Sequence, residues 1–282
     1  MAITGSGTQA DPYIVHSYDE IKTACENNNV FIELGNDIDC NFYGENFEWD
    51  KVNVGTGTDF DLKGHTIKNF KVKENKYGFL LYDNSLVHNG KILNVYLSRS
   101  SGFVTRGSNY GSLENLSISI NSQSGISGQF MFDGVSVNAC AIYVEGKSSY
   151  SGENAIFRVY NENHPMSNCD VLLNFLDTTG NIITSLSSGG KILKNCRIRG
   201  AFKPTDTSNA LVLNGNAGNC VFDLETTSLR FCGYNLDNTG IINTDKVPSS
   251  FSTHGMTAVT SQEIISGASL RAKNFDVINV VG

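Results

Sequence analysis

Carboxylates recur along this sequence, and paired carboxylates are the groups that cleave glycosidic bonds. A glycosidase needs two of them about 5–9 Å apart, one on each side of the bond. The candidates are Asp37, Asp39, Asp59, Asp61, Glu114, Asp133, Asp170, Asp223 and Glu225. Each can equally be an ordinary carboxylate at a turn or on a strand surface. Because nothing assembles a reaction centre, we expect no catalytic residue and no enzyme.

A second chemistry is elimination by a lyase, which uses aspartates to bind calcium and a basic residue to abstract a proton. Arg197 and Arg199 lie on one face of an expected strand, and Asp170 occupies the equivalent position one repeat earlier, next to Arg197. A surface ion pair accounts for this arrangement. The five histidines are scattered, and no serine-elbow, P-loop or dinucleotide motif is present. We therefore expect neither a metal nor a cofactor.

The composition narrows the class of protein. The chain has 282 residues, a net charge of −7 and no basic run, so nucleic acid is an unfavourable partner. No apolar stretch reaches the ~18 residues that a membrane span needs. The N-terminus lacks the basic and apolar parts of a secretory signal, and the seven cysteines contain no CxxC pair. We expect a protein made in a cytoplasm, with buried and reduced cysteines.

One short phrase recurs along the chain, with the pattern apolar-x-Asn-apolar-x-apolar. Its central residues are Asn69, Asn94, Asn115, Asn168, Asn195 and Asn219, and Gly134 replaces asparagine in a seventh copy. From 69 to 219 is 150 residues in six steps, or 25 residues a step. Each copy is a short alternating strand beside a turn, whereas a propeller blade would need ~40 residues and four strands. The repeat therefore predicts an all-β solenoid, a parallel β-helix.

The repeated asparagines have a structural explanation. Asparagine tolerates the left-handed backbone conformation of a bend better than most residues do. Its amide can also bond to the same amide in the neighbouring coils. We therefore expect a structural ladder of the six asparagines rather than a ligand site. The largest gap, 34 residues from 134 to 168, contains Gly146–Gly152 and predicts a protruding loop.

A solenoid must protect its two open ends. Ser17–Glu20 and Thr260–Glu263 both match the capping box and predict short helices near the two ends of the chain. We expect an N-terminal cap at residues 1–29, the parallel β-helix at 30–245 and a separate tail at 246–282. The tail either caps the β-helix or attaches it to a partner.

Three stretches resemble known sequences. Phe60–Phe70 resembles the phrase LDGNGHTIKNL of right-handed parallel β-helix proteins, and Gly5–Val15 resembles the usual opening of such chains. Tyr77–Leu81, with the copies that begin at Gly90 and Gly111, resembles the GLUG repeat. This resemblance implies a single right-handed parallel β-helix with short helical caps. It says little about function, because many roles share this scaffold.

The tail resembles a narrower group. Gly255–Thr260 and Leu270–Phe275 look like the C-terminal ends of β-helical proteins from bacteriophages and gut bacteria. With no secretory signal, this favours a bacteriophage virion structural protein, namely a spike, fibre or decoration protein made in the host cytoplasm. The resemblance implies a homotrimer. The apolar tail would then contact other virion proteins.

Attachment to a host-surface glycan is the expected activity. Sugar sites favour exposed aromatic rings with amide and carboxylate partners. The tyrosines available are Tyr77, Tyr82, Tyr96, Tyr110, Tyr143, Tyr150 and Tyr160, of which Tyr150, in the largest gap, is the best single candidate. Two alternatives stay open: a polysaccharide-degrading β-helix enzyme (lyase or hydrolase) and a bacterial surface adhesin.

Overall fold

The computed structural model describes residues 3–98, 101–107, 110–122, 130–149, 155–179, 181–185, 190–208, 210–213, 215–232 and 238–266. These residues form 26 strands, two short α-helices and two 3₁₀ turns. None of the described helices is long and apolar enough to cross a membrane. The predicted all-β fold is confirmed, because the strands make a parallel β-solenoid of the right-handed type with about seven turns.

The elements follow one another in this order along the chain. The strands are β1 Tyr13–Val15, β2 Phe31–Leu34, β3 Ile38–Asp39, β4 Glu48–Trp49, β5 Val52–Val54, β6 Asp59–Asp61, β7 Thr66–Val72, β8 Tyr77–Leu81, β9 Leu86–Leu97, β10 Gly102–Arg106, β11 Ser112–Ser122, β12 Phe132–Asp133, β13 Ser136–Asn138, β14 Ala141–Ser149, β15 Ala155–Val159, β16 Met166–Ser167, β17 Asp170–Thr179, β18 Asn181–Ser185, β19 Lys191–Lys194, β20 Arg197–Pro204, β21 Ala210–Leu213, β22 Asn216–Gly218, β23 Cys220–Thr226, β24 Arg230–Cys232, β25 Gly240–Asn243 and β26 Thr257–Val259. The α-helices are α1 Tyr18–Cys25 and α2 Ser261–Ser266, and the 3₁₀ turns are Cys40–Tyr43 and Thr244–Lys246.

The strands build three faces. Face 1 holds short strands such as β6, β13, β16 and β19, and face 2 holds longer ones such as β7, β14, β17 and β20. Strands β9 and β11 run through both of these faces. Face 3 is a separate sheet of eight strands, in the order β5, β8, β10, β12, β15, β18, β21, β24. Each coil therefore passes from face 1 through face 2 to face 3 and returns.

Identical kinds of side chain stack in the core from coil to coil. Parallel in-register pairing repeats the inward position, so one apolar row follows the solenoid along each face. On face 2 the row is Ile38, Ile67, Ile92, Ile118, Ile142, Val171, Ile198, Phe222 and Ile242, and all are buried. On face 3 it includes Phe79, Val104, Phe132, Phe157 and Ile183. β-Branched and aromatic side chains suit such half-buried pleated surfaces.

Both predicted N-terminal caps are present, and the cap at α2 is a reciprocal capping box. At α1 the Ser17 side chain accepts a hydrogen bond from the Glu20 amide, and the Glu20 carboxylate accepts one from the His16 amide. At α2 the Thr260 hydroxyl accepts from the Glu263 amide, while the Glu263 carboxylate accepts from the Thr260 amide. Helix α1 buries one apolar side, which covers the first coil.

Parallel pairing extends beyond the expected span of 30–245. Strand β1 already pairs with β2, and β26 pairs with β25. The first part of the expected tail thus continues face 2, and residues 267–282 lie outside the described residues. All seven cysteines lie in the described part of the chain, where they are buried and form no disulfide.

Candidate functional site

The six asparagines expected to form one ladder all adopt the left-handed conformation, with φ between 49° and 61°. The structure divides them between two places. Asn115, Asn168, Asn195 and Asn219 lie at the corner where face 1 meets face 2, whereas Asn69 and Asn94 lie within face 2.

The corner asparagines form an amide ladder. Asn219 donates to Asn195 at 3.1 Å, and Asn195 donates to Asn168 at 3.2 Å. Asn115 donates at 2.9 Å to Asn89, a ladder residue that the sequence pattern missed. The coil between these groups has Ala139 at the left-handed position, and Asn138 beside it accepts from Asn168. These hydrogen bonds join the amides of neighbouring coils along the corner.

The face 2 asparagines form a second, shorter ladder. Asn94 donates to Asn69 at 2.9 Å, and Asn69 donates at 2.9 Å to the Asp39 carboxylate. Asn94 lies where the register between β9 and β11 shifts, and its backbone N–H donates to the Ser119 hydroxyl. The sequence pattern therefore matched two structurally different asparagine positions, one at the corner and one within face 2, because the residues around them in sequence are alike.

Gly134 lies at the opposite corner, where face 3 returns to face 1. Its φ is +70°, and a Cβ there would lie 2.5 Å from the Cδ atom of Arg106. This corner has two residues, 134 and 135, between β12 and β13. In sequence, five residues separate β10 from β11 in the preceding coil, and six separate β15 from β16 in the following coil. The short corner leaves a notch between two longer ones.

Aromatic side chains from the two longer corners meet across this notch. The Tyr110 ring stacks on His164 with ring centres 3.6 Å apart, and it meets the edge of Tyr160 at 4.8 Å. The guanidinium carbon of Arg106 lies 4.6 Å from the centre of the Tyr160 ring. We call Arg106, Tyr110, Tyr160 and His164 the aromatic corner. All four side chains are partly exposed.

The charges of the aromatic corner are simple. Partial desolvation, followed by the hydrogen bond with Tyr160, raises the pKa of Tyr110. Desolvation lowers the pKa of His164, so this imidazole is neutral at pH 7. Arg106 supplies the positive charge, and no described carboxylate forms an ion pair with it.

A buried carboxylate lies beside the aromatic corner, on face 3. Asp133 accepts from the Arg158 Nε atom at 2.6 Å, from the Thr105 hydroxyl at 3.2 Å and from the Tyr77 hydroxyl at 3.3 Å. Arg158 also packs on the Phe130 ring at 3.9 Å. Both carboxylate oxygens are thus occupied, and this cluster joins four neighbouring strands instead of offering a free acid or base.

Most other candidate carboxylates also have partners. Asp170 accepts two hydrogen bonds, at 3.0 and 3.2 Å, from Arg199, although its partner in strand register is Arg197, the expected neighbour. The further pairs are Asp37 with His65, Asp39 with Lys68, Asp59 with His88, and Asp223 with Lys246, while Asp61 accepts from the Lys63 amide. Glu114 lies on face 1 in register with His88. The described residues contain no group of three or more side chains able to hold a metal ion.

A groove near the C-terminal end of the solenoid contains two carboxylates. Its volume is about 690 Å³, and Glu225, Asp245, Lys246 and Leu229 are among its lining residues. Glu225 pairs with Lys203 at 2.6 Å, and Asp245 accepts from the Ser261 amide at 2.7 Å. Glu225 is one of the candidate carboxylates from the sequence, Asp245 is not, and both line this concave surface.

The remaining tyrosines are dispersed. Tyr82 extends the row of the aromatic corner by one coil, because a Cβ on Gly107 would lie 2.5 Å from its ring. Tyr96 is exposed on face 2, and Tyr143 donates to Glu145. Tyr150, the best candidate from sequence, lies outside the described residues. Sequence reasoning missed Arg106 and His164, and Gly134 was the signal that could have located them.

Comparisons with known proteins give little on function. No family model matches the chain, and no curated protein matches it. A solved structure that does match is a candidate immunoglobulin A1 protease from Bacteroides ovatus, 16% identical over 96% of this chain and 90% of that chain, with a TM-score of 0.37. At this sequence identity and TM-score, the likeness supports no conclusion about the function of this chain. The comparisons do not support the GLUG or bacteriophage resemblance, which stays an interpretation of the sequence.

Proposed function

We propose that this chain is a β-helical attachment protein of a bacteriophage particle and that it binds a cell-surface glycan at the aromatic corner. The observation that carries the proposal is the meeting of Tyr110, Tyr160 and His164 across the notch at Gly134. Aromatic rings with one apolar face and one polar edge are suited to a sugar, which has the same two kinds of surface.

The scaffold favours such a site because it holds the rings in place. Tyr110 and Tyr160 follow strands of face 3, whose pairing with β12 fixes the distance between their coils. A site whose side chains are already in position loses less conformational entropy when a ligand binds. The low content of charged residues, 17%, also leaves a surface of small polar groups that sticks poorly to unrelated partners.

Location on a virion rests on the sequence resemblance of the tail. The homotrimer and the contact with other virion proteins rest on the same resemblance. Immunogold electron microscopy of virions from the source, with antibody against this chain, tests it. Gold at the tail tip supports receptor binding, and gold on the head supports a decoration or head-fibre role. Virions without gold would overturn the virion assignment and favour the bacterial adhesin.

Glycan binding is tested by substitution at the aromatic corner. The wild-type protein and the variants Tyr110→Ala and Tyr160→Ala are compared on host-surface polysaccharide by calorimetry. Loss of a stacked ring should weaken binding at least tenfold. Tyr96→Ala is the matched control, because Tyr96 is 46% exposed on another face. Equal binding by all four proteins would exclude the aromatic corner as the site.

A second candidate function is glycan cleavage in the groove that holds Glu225 and Asp245. A glycosidase uses two carboxylates that flank the scissile bond, and this groove is lined by two. The test is to incubate the protein with capsular or wall polysaccharide and measure new reducing ends or unsaturated sugars. Products that disappear in both Glu225→Gln and Asp245→Asn would establish the enzyme, and no products would leave attachment as the function.

A further inference from the structure

We propose that the glycan bound at the aromatic corner is acidic and that Arg106 binds its carboxylate. This inference rests on the proposed function and adds the class of sugar. It depends on three observations: the position of Arg106, its lack of an acidic partner, and the space that Gly134 provides.

Among the five described arginines, Arg106 and Arg197 have no side-chain hydrogen-bond acceptor in the described part of the chain, and the Arg197 charge acts on Asp223. Arg158 and Arg199 each donate to an aspartate, and Arg230 donates to the Ser208 carbonyl. The Arg106 side chain packs on the Tyr160 ring and has no hydrogen-bond acceptor among the described residues. An arginine stacked on a ring keeps its planar edge available, and that edge matches a carboxylate with two parallel hydrogen bonds.

Gly134 places this guanidinium at the aromatic corner. The Arg106 side chain crosses the short corner directly above Gly134, where any Cβ would lie 2.5 Å from its Cδ atom. It therefore reaches a ring that belongs to the second coil along. A longer corner at this coil would fill the space that Arg106 occupies.

The neighbouring groups leave Arg106 as the positive centre. The imidazole of His164 is neutral at pH 7, and the raised pKa of Tyr110 keeps its hydroxyl uncharged. The nearby Asp133 carboxylate is buried and already paired with Arg158. A sugar ring on Tyr110 and His164 with a carboxylate towards Arg106 would satisfy both the apolar and the charged parts of the surface. Uronic and sialic acids have this combination.

The test uses matched pairs of acidic and neutral glycans. The probes are oligogalacturonate against its carboxyl-reduced form, and 3′-sialyllactose against lactose, measured by calorimetry on the full chain. We expect an acidic member to bind at least tenfold more tightly than its neutral partner. Arg106→Gln should abolish that difference, and Arg106→Lys should retain part of it. Lys91→Gln is the control, because it removes one exposed positive charge on face 2.

The outcomes separate this inference from the proposed function. Equal binding of acidic and neutral members, reduced by Tyr160→Ala but not by Arg106→Gln, would overturn the acidic class and keep the glycan site. Preference for a sulfated probe such as 6-sulfogalactose over the carboxylates would also overturn it. No binding of any glycan would overturn both proposals.

Discussion

The guanidinium of Arg106 and the ring of Tyr160 are 4.6 Å apart although a complete coil lies between their strands. Contacts in a solenoid normally join adjacent coils, because each coil covers the next. This contact skips one coil because the two-residue corner at Gly134 is too short to fill the space between its neighbours. The site proposed above lies at this corner, which is shorter than the corners of the two neighbouring coils.

The first prediction concerns Gly134. Gly134→Ala should destabilise the protein, because alanine at φ +70° costs about 1–2 kcal/mol and its Cβ would also collide with Arg106. Gly64→Ala is the control, since Gly64 has φ +81° and open space around its Cβ. The free energy of unfolding, measured in urea, should fall more for Gly134→Ala, and an added Arg106→Ala should recover the excess. Equal losses in the two single variants would contradict the crossing of Arg106 over Gly134.

The second prediction separates backbone strain from amide bonding in the corner ladder. Asn195 has φ 53° and bonds to the amides of Asn168 and Asn219. Asn195→Ala loses both benefits and should lower the free energy of unfolding by about 2 kcal/mol. Asn195→Gly keeps the left-handed conformation and should lose only about 1 kcal/mol. If glycine is as costly as alanine, the amide bonds alone stabilise this corner.

The third prediction is a pH dependence at His88. Partial burial lowers the pKa of His88, but the hydrogen bond and charge of Asp59, 2.6 Å away, raise it more, so the net shift is upward. Because the pKa of His88 is raised in the folded state, the protonated imidazole stabilises the protein fully below its unfolded pKa of about 6.5. This stabilisation is lost as the pH rises through the folded pKa.

The variant His88→Gln isolates this contribution. At pH 5.5 the free energy of unfolding of the wild type should be higher than that of His88→Gln by about 1 kcal/mol or less, as expected for a partly exposed ion pair. The difference should shrink as the pH rises above 6.5 towards 8. A difference that grows over this range would show that the pKa of His88 is lowered instead.

The fourth prediction concerns Asp133. Asp133→Asn removes the charge that Arg158 requires and weakens the bonds from Thr105 and Tyr77. Because the carboxylate is buried, we expect a loss of about 2 kcal/mol in the free energy of unfolding. Asp206→Asn, at an exposed turn, should change it far less. Unchanged stability in Asp133→Asn would contradict the structural role of this cluster.

Much of the fold could be predicted because the sequence repeat has a direct physical explanation. Alternating apolar residues after a left-handed asparagine are sufficient to predict stacked parallel coils, and capping boxes mark α1 and α2. The register of the repeat was harder. Asn94 and Asn89 lie five residues apart, and only strand pairing shows that Asn89, not Asn94, is the partner of Asn115.

The aromatic corner could not be predicted from spacing. Tyr110 and Tyr160 are 50 residues apart in sequence, and their meeting depends on the length of a corner in a coil that contains neither of them. Asp170 shows the same limit on a smaller scale. Strand register places Asp170 opposite Arg197, yet the side chain of Arg199, two residues further along the same strand, binds it instead.

The varied corner lengths have a consequence for how this molecule can diversify. The core rows are fixed by the strands, whereas the two corners between faces 3 and 1 at 134–135 and 160–165 have two and six residues without disturbing them. Deleting a few residues from one corner would expose the sides of the corners in the adjacent coils and create a new pocket. Inserting residues at Gly134 would displace the Arg106 side chain from the space that it now occupies. A lineage could thus change its ligand by small deletions and insertions while every buried residue stays the same.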